Sequence, residues 1–238
     1  MLLRPLRLFC FVLVCAPLAL YALAPGKHTL PIKLVDGRNS NTQRTKVSPI
    51  LANKILHELF PEDWHEATPE LKGAVRGAFT KRNSHEIFAI GFKPDPLVGH
   101  VGEFGHWRCG VFVDGKPIVI SEALGHIGKF AFRSLDLDRD GVDEILVRSD
   151  GMGQGHYQEF LHVVSAHGSE IRGLISFSLS ASDQGTGELP YDEFASVIAY
   201  RGGPLGEAAS YSVKYYSKKI SEAVPTPNWV EQASPWWE

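Results

Sequence analysis

Between Phe130 and Arg148 the chain reads FAFRSLDLDRDGVDEILVR, with apolar residues on both sides of carboxylates placed at alternate positions. Oxygens in that spacing suit a hard cation. Ca²⁺ takes six to eight of them at about 2.3–2.6 Å, and a loop with side-chain donors at positions 1, 3 and 5, a sharp glycine turn at 6 and a backbone carbonyl at 7 can wrap it. Asp136, Asp138, Asp140, Gly141 and the Val142 carbonyl occupy those places, and Glu144 at position 9 offers a further oxygen. Three aspartates held in one turn repel one another, so an ordered loop of this composition calls for a counter-charge. All donors come from one short loop with a strand directly after it, which leaves no open position for a substrate and makes the expected role structural. The plainer alternative is a solvated acidic turn.

The loop fails as an EF-hand, because its twelfth position is Val147 where a bidentate Glu is required and its flanks read as strands. It resembles the strand-loop-strand calcium motif of the FG-GAP and VCBS repeats, found in integrin-type propeller blades, roughly DxDxDGxxD followed by an apolar strand. Asp136, Asp138, Asp140, Gly141, the acidic Glu144 and Ile145-Leu146-Val147 match, with Glu standing where the pattern has Asp. The resemblance implies bound Ca²⁺. A full β-propeller needs several copies of the motif, and this chain has one, so the expectation is a single calcium-stapled hairpin within another β-rich fold.

A second constellation is HVGEFGH, in which His100, Glu103 and His106 could hold a transition metal such as Zn²⁺. Zinc hydrolases that use a helix place His at i and i+4. Here the histidines are six apart with Gly99, Gly102 and Gly105 between, which breaks a helix. In an extended segment that spacing keeps both His on one face and Glu103 on the other. Asp150-Gly151-Met152-Gly153-Gln154-Gly155-His156 is rich in glycine but precedes a strand, so it lacks the helix N-terminus that a phosphate site needs. His126, His156 and His162 could join a cleft with Glu103 or Asp150. No GxSxG elbow occurs, and the serines at 176, 178, 180 and 182 alternate with apolar residues as in an amphipathic strand.

The elements that position these residues follow from punctuation and periodicity. Residues 1–24 carry Arg4 and Arg7, an apolar run from Leu8 to Ala22 and the small-residue pattern Ala22-Leu23-Ala24, which describes a secretory signal peptide. Its removal leaves 214 residues of net charge −5, against −3 for all 238. Cys10 and Cys15 leave with it, so the exported part keeps only Cys109, read as a buried structural thiol, and has no internal disulfide. Residues 25–46 read as a linker or loose arm. Ser48 as cap, Pro49 at the first helical position and Ile50, Leu51, Ile55, Leu56, Leu59 and Phe60 on one face predict a helix ended by Pro61. Thr68-Pro69-Glu70 suggests a second short helix, although Gly73 and Gly77 oppose it. From Glu86 on, β-branched and aromatic runs alternate with Gly, Asp and Pro. Strands are expected at 129–135, 144–148, 157–165, 170–179, 194–200 and 209–216, with hairpin turns at Asp114-Gly115 and His167-Gly168-Ser169.

The expected fold is therefore α+β: one or two N-terminal helices, then a mostly antiparallel sheet, in a single domain at 47–220. A tail at 221–238 follows, carrying Pro225, Pro227, Pro235, Trp229, Trp236 and Trp237. The charge balance lacks the clustered Lys and Arg of a nucleic-acid binder. The functional expectation is a secreted or periplasmic binding or interaction module with a structural Ca²⁺ loop and a protein or glycan ligand. Membrane attachment is expected only if the N-terminal segment stays uncleaved. The alternative is a metal-dependent hydrolase in which His100, Glu103 and His106 hold Zn²⁺ and a bound water is activated.

Overall fold

The computed structural model describes residues 31–38, 45–62, 64, 67–95, 105–122, 130–153, 156–166, 168–182, 189–202, 210–224 and 227–234. The described residues are β-rich, with one helix and twelve strands in two antiparallel sheets. The expectation of an α+β fold with N-terminal helices is corrected by this.

The helix α1 (Pro49–Leu59) is the one expected. Ser48 Oγ accepts from Leu51 N, and the Phe60 N–H closes the last turn on the Leu56 carbonyl. It buries Ile55, Leu56 and Leu59 and leaves Ile50 74 % exposed. The second helix does not form. Glu70–Gly77 is instead strand β2. A Cβ at Gly73 would lie 2.6 Å from the Ala131 backbone nitrogen, so the glycine that weakens a helix here permits close approach of two backbones.

Strands β2, β3 (Glu86–Pro94), β4 (Gly105–Val113) and β5 (Lys116–Glu122) form a four-stranded meander. The β4–β5 hairpin turns at Asp114 and Gly115, with φ of 52° and 83°, as a two-residue turn with both central residues left-handed requires. The larger sheet holds β6 (Phe130–Leu135), β7 (Glu144–Gly153), β8 (His156–Ser165), β9 (Arg172–Ser182), β10 (Tyr191–Arg201), β11 (Ser210–Ile220) and β12 (Val230–Gln232), in the order β12-β11-β10-β9-β8-β7-β6. Its eighth strand, β1 (Ile32–Asp36), lies within the segment read as a linker and pairs with β10 at Val197–Tyr200. Strand β9 pairs with the other half, Glu193–Ala195. β12 likewise gives part of the tail a place on the sheet, against Tyr215–Ser217.

Three apolar clusters set the layering. Ile55, Leu59 and Phe60 pack on Ala74, Ile87, Ala89 and Phe112, so α1 covers one face of the small sheet. The opposite face, with Val75, Phe88, Ile90 and Val111, packs on Ala131, Ile145, Val147 and Val164 of the large sheet. Cys109 is buried in that cluster, the structural place expected of it. The third cluster lies on the far face of the large sheet and joins Leu146, Leu161 and Val163 with Ile198, Tyr200, Tyr211 and Val213. Strands so far apart in the order can share a cluster only if the sheet curls. The start of strand β7 is thus buried on both faces, Ile145 and Val147 to one side and Leu146 to the other, which is why these three residues form an apolar run. No helix among the described residues is long and apolar enough to cross a membrane.

Candidate metal centre

The acidic loop spans the β6–β7 connection, between Leu135 and Glu144. Its alternation is a division of labour. Leu137 points into the curled sheet's core and Val142 is also buried, while Asp136, Asp138 and Asp140 converge, each offering an oxygen within 4.8 Å of the others.

Backbone N–H groups hold the carboxylates in that convergence. Asp138 Oδ1 accepts from Asp140 N at 3.0 Å, Asp140 Oδ1 from Val142 N at 2.7 Å, and Asp136 Oδ2 from Gly141 N at 3.0 Å. The loop turns through Arg139 and Gly141 with φ of 63° and 87°. Glu144 stands at its foot, where one oxygen accepts from Leu137 N at 2.8 Å and closes the loop on itself. Burial pushes the Glu144 carboxyl up to about 7 against the pull of that backbone donor, and the negative Asp138 and Asp140 raise it further.

Positive charge does not settle the cluster. No ion pair among the described residues reaches Asp136, Asp138 or Asp140. Arg139 lies instead over Gly202 at the end of β10, and Arg82 packs on Gly141. Asp136 Oδ1 is buried without a hydrogen-bond donor. Two unit charges 4.8 Å apart repel by about 1 kcal/mol in water's dielectric and about 3.5 kcal/mol at an effective value of about 20. The donor set is therefore all oxygen, convergent, negative and incompletely satisfied, which fits a hard cation.

The loop is anchored on both sides. Asp143 N donates to the Ala78 carbonyl at 2.7 Å and Asp143 Oδ2 accepts from Ala78 N at 2.9 Å, which ties it to the β2–β3 turn. That turn is itself organised by the buried Glu86, which accepts from Phe79 N, Thr80 N and the Thr80 hydroxyl. On the other side Leu137 docks among Ile198, Tyr200 and Tyr211. Neither Asp143 nor Leu137 stands out in the sequence as an anchor, since one reads as another loop carboxylate and the other as a spacer.

The remaining sequence candidates fall partly outside the described residues. His106 is exposed in β4 opposite Lys93, while His100 and Glu103 lie outside the described residues. His126 also lies outside them, and His156 is exposed at the start of β8. Asp150 and His162 cannot share a cleft: β7–β8 pairing sets Asp150 opposite Glu159 and His162 opposite Val147, on different faces of the sheet.

Two polar groupings escape sequence reasoning because their members sit on different strands. Arg148, only 2 % exposed, pairs with Glu159 at 2.5 Å, and Ser180 donates to the same carboxylate oxygen at 2.7 Å. Nearby, burial holds the Tyr157 hydroxyl well above its ordinary range, with Glu159 and Asp150 adding to the effect. On the opposite face, His162 lies between Ser149 and Ser176. Compared with known proteins, the chain matches no family model, no curated protein and no solved structure.

Proposed function

We propose that the loop at 136–144 binds Ca²⁺ as a structural staple in an exported module that recognises a protein or glycan ligand. The observation that carries the metal reading is the buried Asp136 Oδ1, without a donor among the described residues, inside a triad of carboxylates that no described cationic side chain pairs with. In this reading Asp136, Asp138 and Asp140 supply side-chain oxygens, Val142 its carbonyl and Glu144 a further carboxylate oxygen. The ion supplies positive charge and no chemistry. It joins β6 to β7 where the loop also touches the β2–β3 turn and β10, so its binding strengthens the seam between the two sheets.

Export is supported by the basic, apolar and small-residue succession at 1–24. An extracellular or periplasmic setting also suits a weak site, since such modules bind calcium at about 10⁻⁴–10⁻³ M. Elemental analysis of the purified chain, followed by calorimetric titration of EDTA-treated protein with CaCl₂, tests the metal reading. One Ca²⁺ per chain in that affinity range is expected. Absence of heat at 10 mM CaCl₂, or stoichiometric zinc in place of calcium, overturns it.

A further inference from the structure

We propose that Ser149, His162 and Ser176, on adjacent strands β7, β8 and β9, form an acyl-transfer site in which Ser149 is the nucleophile, His162 the general base and Ser176 a positioning residue. Ser149 Oγ lies 2.6 Å from His162 Nε2, and His162 Nδ1 lies 2.7 Å from Ser176 Oγ. A nucleophile within reach of a base that a third group orients is the arrangement that activates serine hydroxyls. Both contacts can form with either tautomer, and the one protonated at Nδ1, with Ser149 donating to Nε2 and Nδ1 donating to Ser176, makes His162 a base toward Ser149.

The strands fix this geometry. β8 pairs His162 with Ser176 and with Val147, and Ser149 follows Val147 by two residues on the same face of β7. That face is the one packed on the small sheet through Ile145 and through Val147, which stands two residues before Ser149. The hydroxyl is largely withdrawn from water, at 5 % residue exposure, which strengthens its bond to the imidazole. Two residues along, Gly151 faces open space, with no described atom within 4 Å of where a Cβ would stand. In this proposal the acyl group approaches from that side. Phe160, paired with Ser149 and near the His162 ring at 6.3 Å between centroids, gives the opening an apolar wall. The substrate class that fits is a small uncharged ester.

In the step, the Ser149 Oγ–carbon bond forms as the hydroxyl proton passes to His162 Nε2. The bond to the leaving alkoxide then breaks, and that oxygen takes the proton. Water repeats the sequence on the acyl-enzyme, releasing the acid and returning the proton to Ser149.

The test uses the purified chain and a fluorophosphonate probe, whose P–F bond breaks as Oγ–P forms, with fluoride and the serine proton as the other products. Peptide mapping is expected to place one phosphonyl group on Ser149. His162→Gln slows labelling about a hundredfold or more. Ser176→Ala lowers kcat for p-nitrophenyl acetate roughly tenfold at unchanged KM, and Ser176→Thr, which keeps the hydroxyl, restores it. No adduct on the unaltered chain, an adduct only elsewhere, or labelling of folded His162→Gln at the original rate overturns the proposal. The mapping is done on unaltered protein, so a variant that fails to fold does not shield it.

Discussion

Replacing Asp136 by Asn separates a metal site from an acidic turn by the sign of its effect. The amide oxygen can still accept from Gly141 N, so the turn keeps its hydrogen bond while one of three converging charges disappears. In EDTA the variant is therefore expected to be at least as stable as the parent, by about 1 kcal/mol per relieved pair if the loop is well solvated and up to about 3.5 if it is not. In calcium the order reverses. For a dissociation constant of about 10⁻⁴–10⁻³ M, 10 mM CaCl₂ stabilises the parent by RT ln(1 + [L]/Kd), about 1.4–2.7 kcal/mol, or about 3–11 °C in Tm for a chain of this size. Asp136→Asn should lose most of that rise. The assay is a thermal melt of both proteins in EDTA, in 10 mM CaCl₂ and in 10 mM MgCl₂, the last separating a specific site from general screening. A variant destabilised equally in EDTA and calcium, or one whose Tm climbs with calcium as much as the parent's, refutes the metal reading of the loop.

Other perturbations probe the frame around that loop. Leu137→Ala should cost about 2–5 kcal/mol by urea unfolding in EDTA, as for a large side chain removed from a core, although its neighbours in sequence are both Asp. Gly37→Ala would set a Cβ 2.2 Å from the Leu179 carbonyl oxygen, and about 1–3 kcal/mol of destabilisation should appear with faster amide exchange along β1. Arg38 holds the Asp36 carboxyl below its ordinary value of 3.8, so the pair's contribution is fully present above that pH and lost as pH falls through the depressed pKa. The Asp36→Asn penalty, about 1.5–3 kcal/mol at pH 7, should shrink in urea titrations near pH 2. Glu159→Leu alone strands a buried guanidinium and should cost about 3–5 kcal/mol, whereas Arg148→Met with Glu159→Leu should recover much of it.

Local chemistry decided which parts of this architecture the sequence could announce. The Asp114-Gly115 turn, the Ser48 cap with Pro49, and the strands between Phe130 and Ile220 depend on neighbours in the chain, and each formed close to where punctuation placed it. β2 was misread because Thr68-Pro69-Glu70 imitates a helix start, while the reason for a strand, backbone approach of Gly73 to Ala131, is tertiary. β1 was invisible for a related reason: five residues in a polar stretch become a strand only beside β10. At the site, the alternation of Asp136, Asp138 and Asp140 was legible since one loop carries all three. The grip of Asp143 on Ala78, and the meeting of Ser149 with His162 and Ser176, depend on pairing across elements that no linear spacing records.

The shared edge of β10 bears on how the chain reaches this state. Strand β9 takes Glu193–Ala195 and β1 takes Val197–Tyr200, so the edge that receives β1 exists only once β9 and β10 have been made and have paired. Ile32–Asp36 is made well before its partner Val197–Tyr200 and must wait for it, a high-contact-order closure of the kind that slows folding. Until then Ile198 and Tyr200 lack the Leu34 and Val35 side chains that later share their cluster, leaving a window in which nascent molecules are prone to clump.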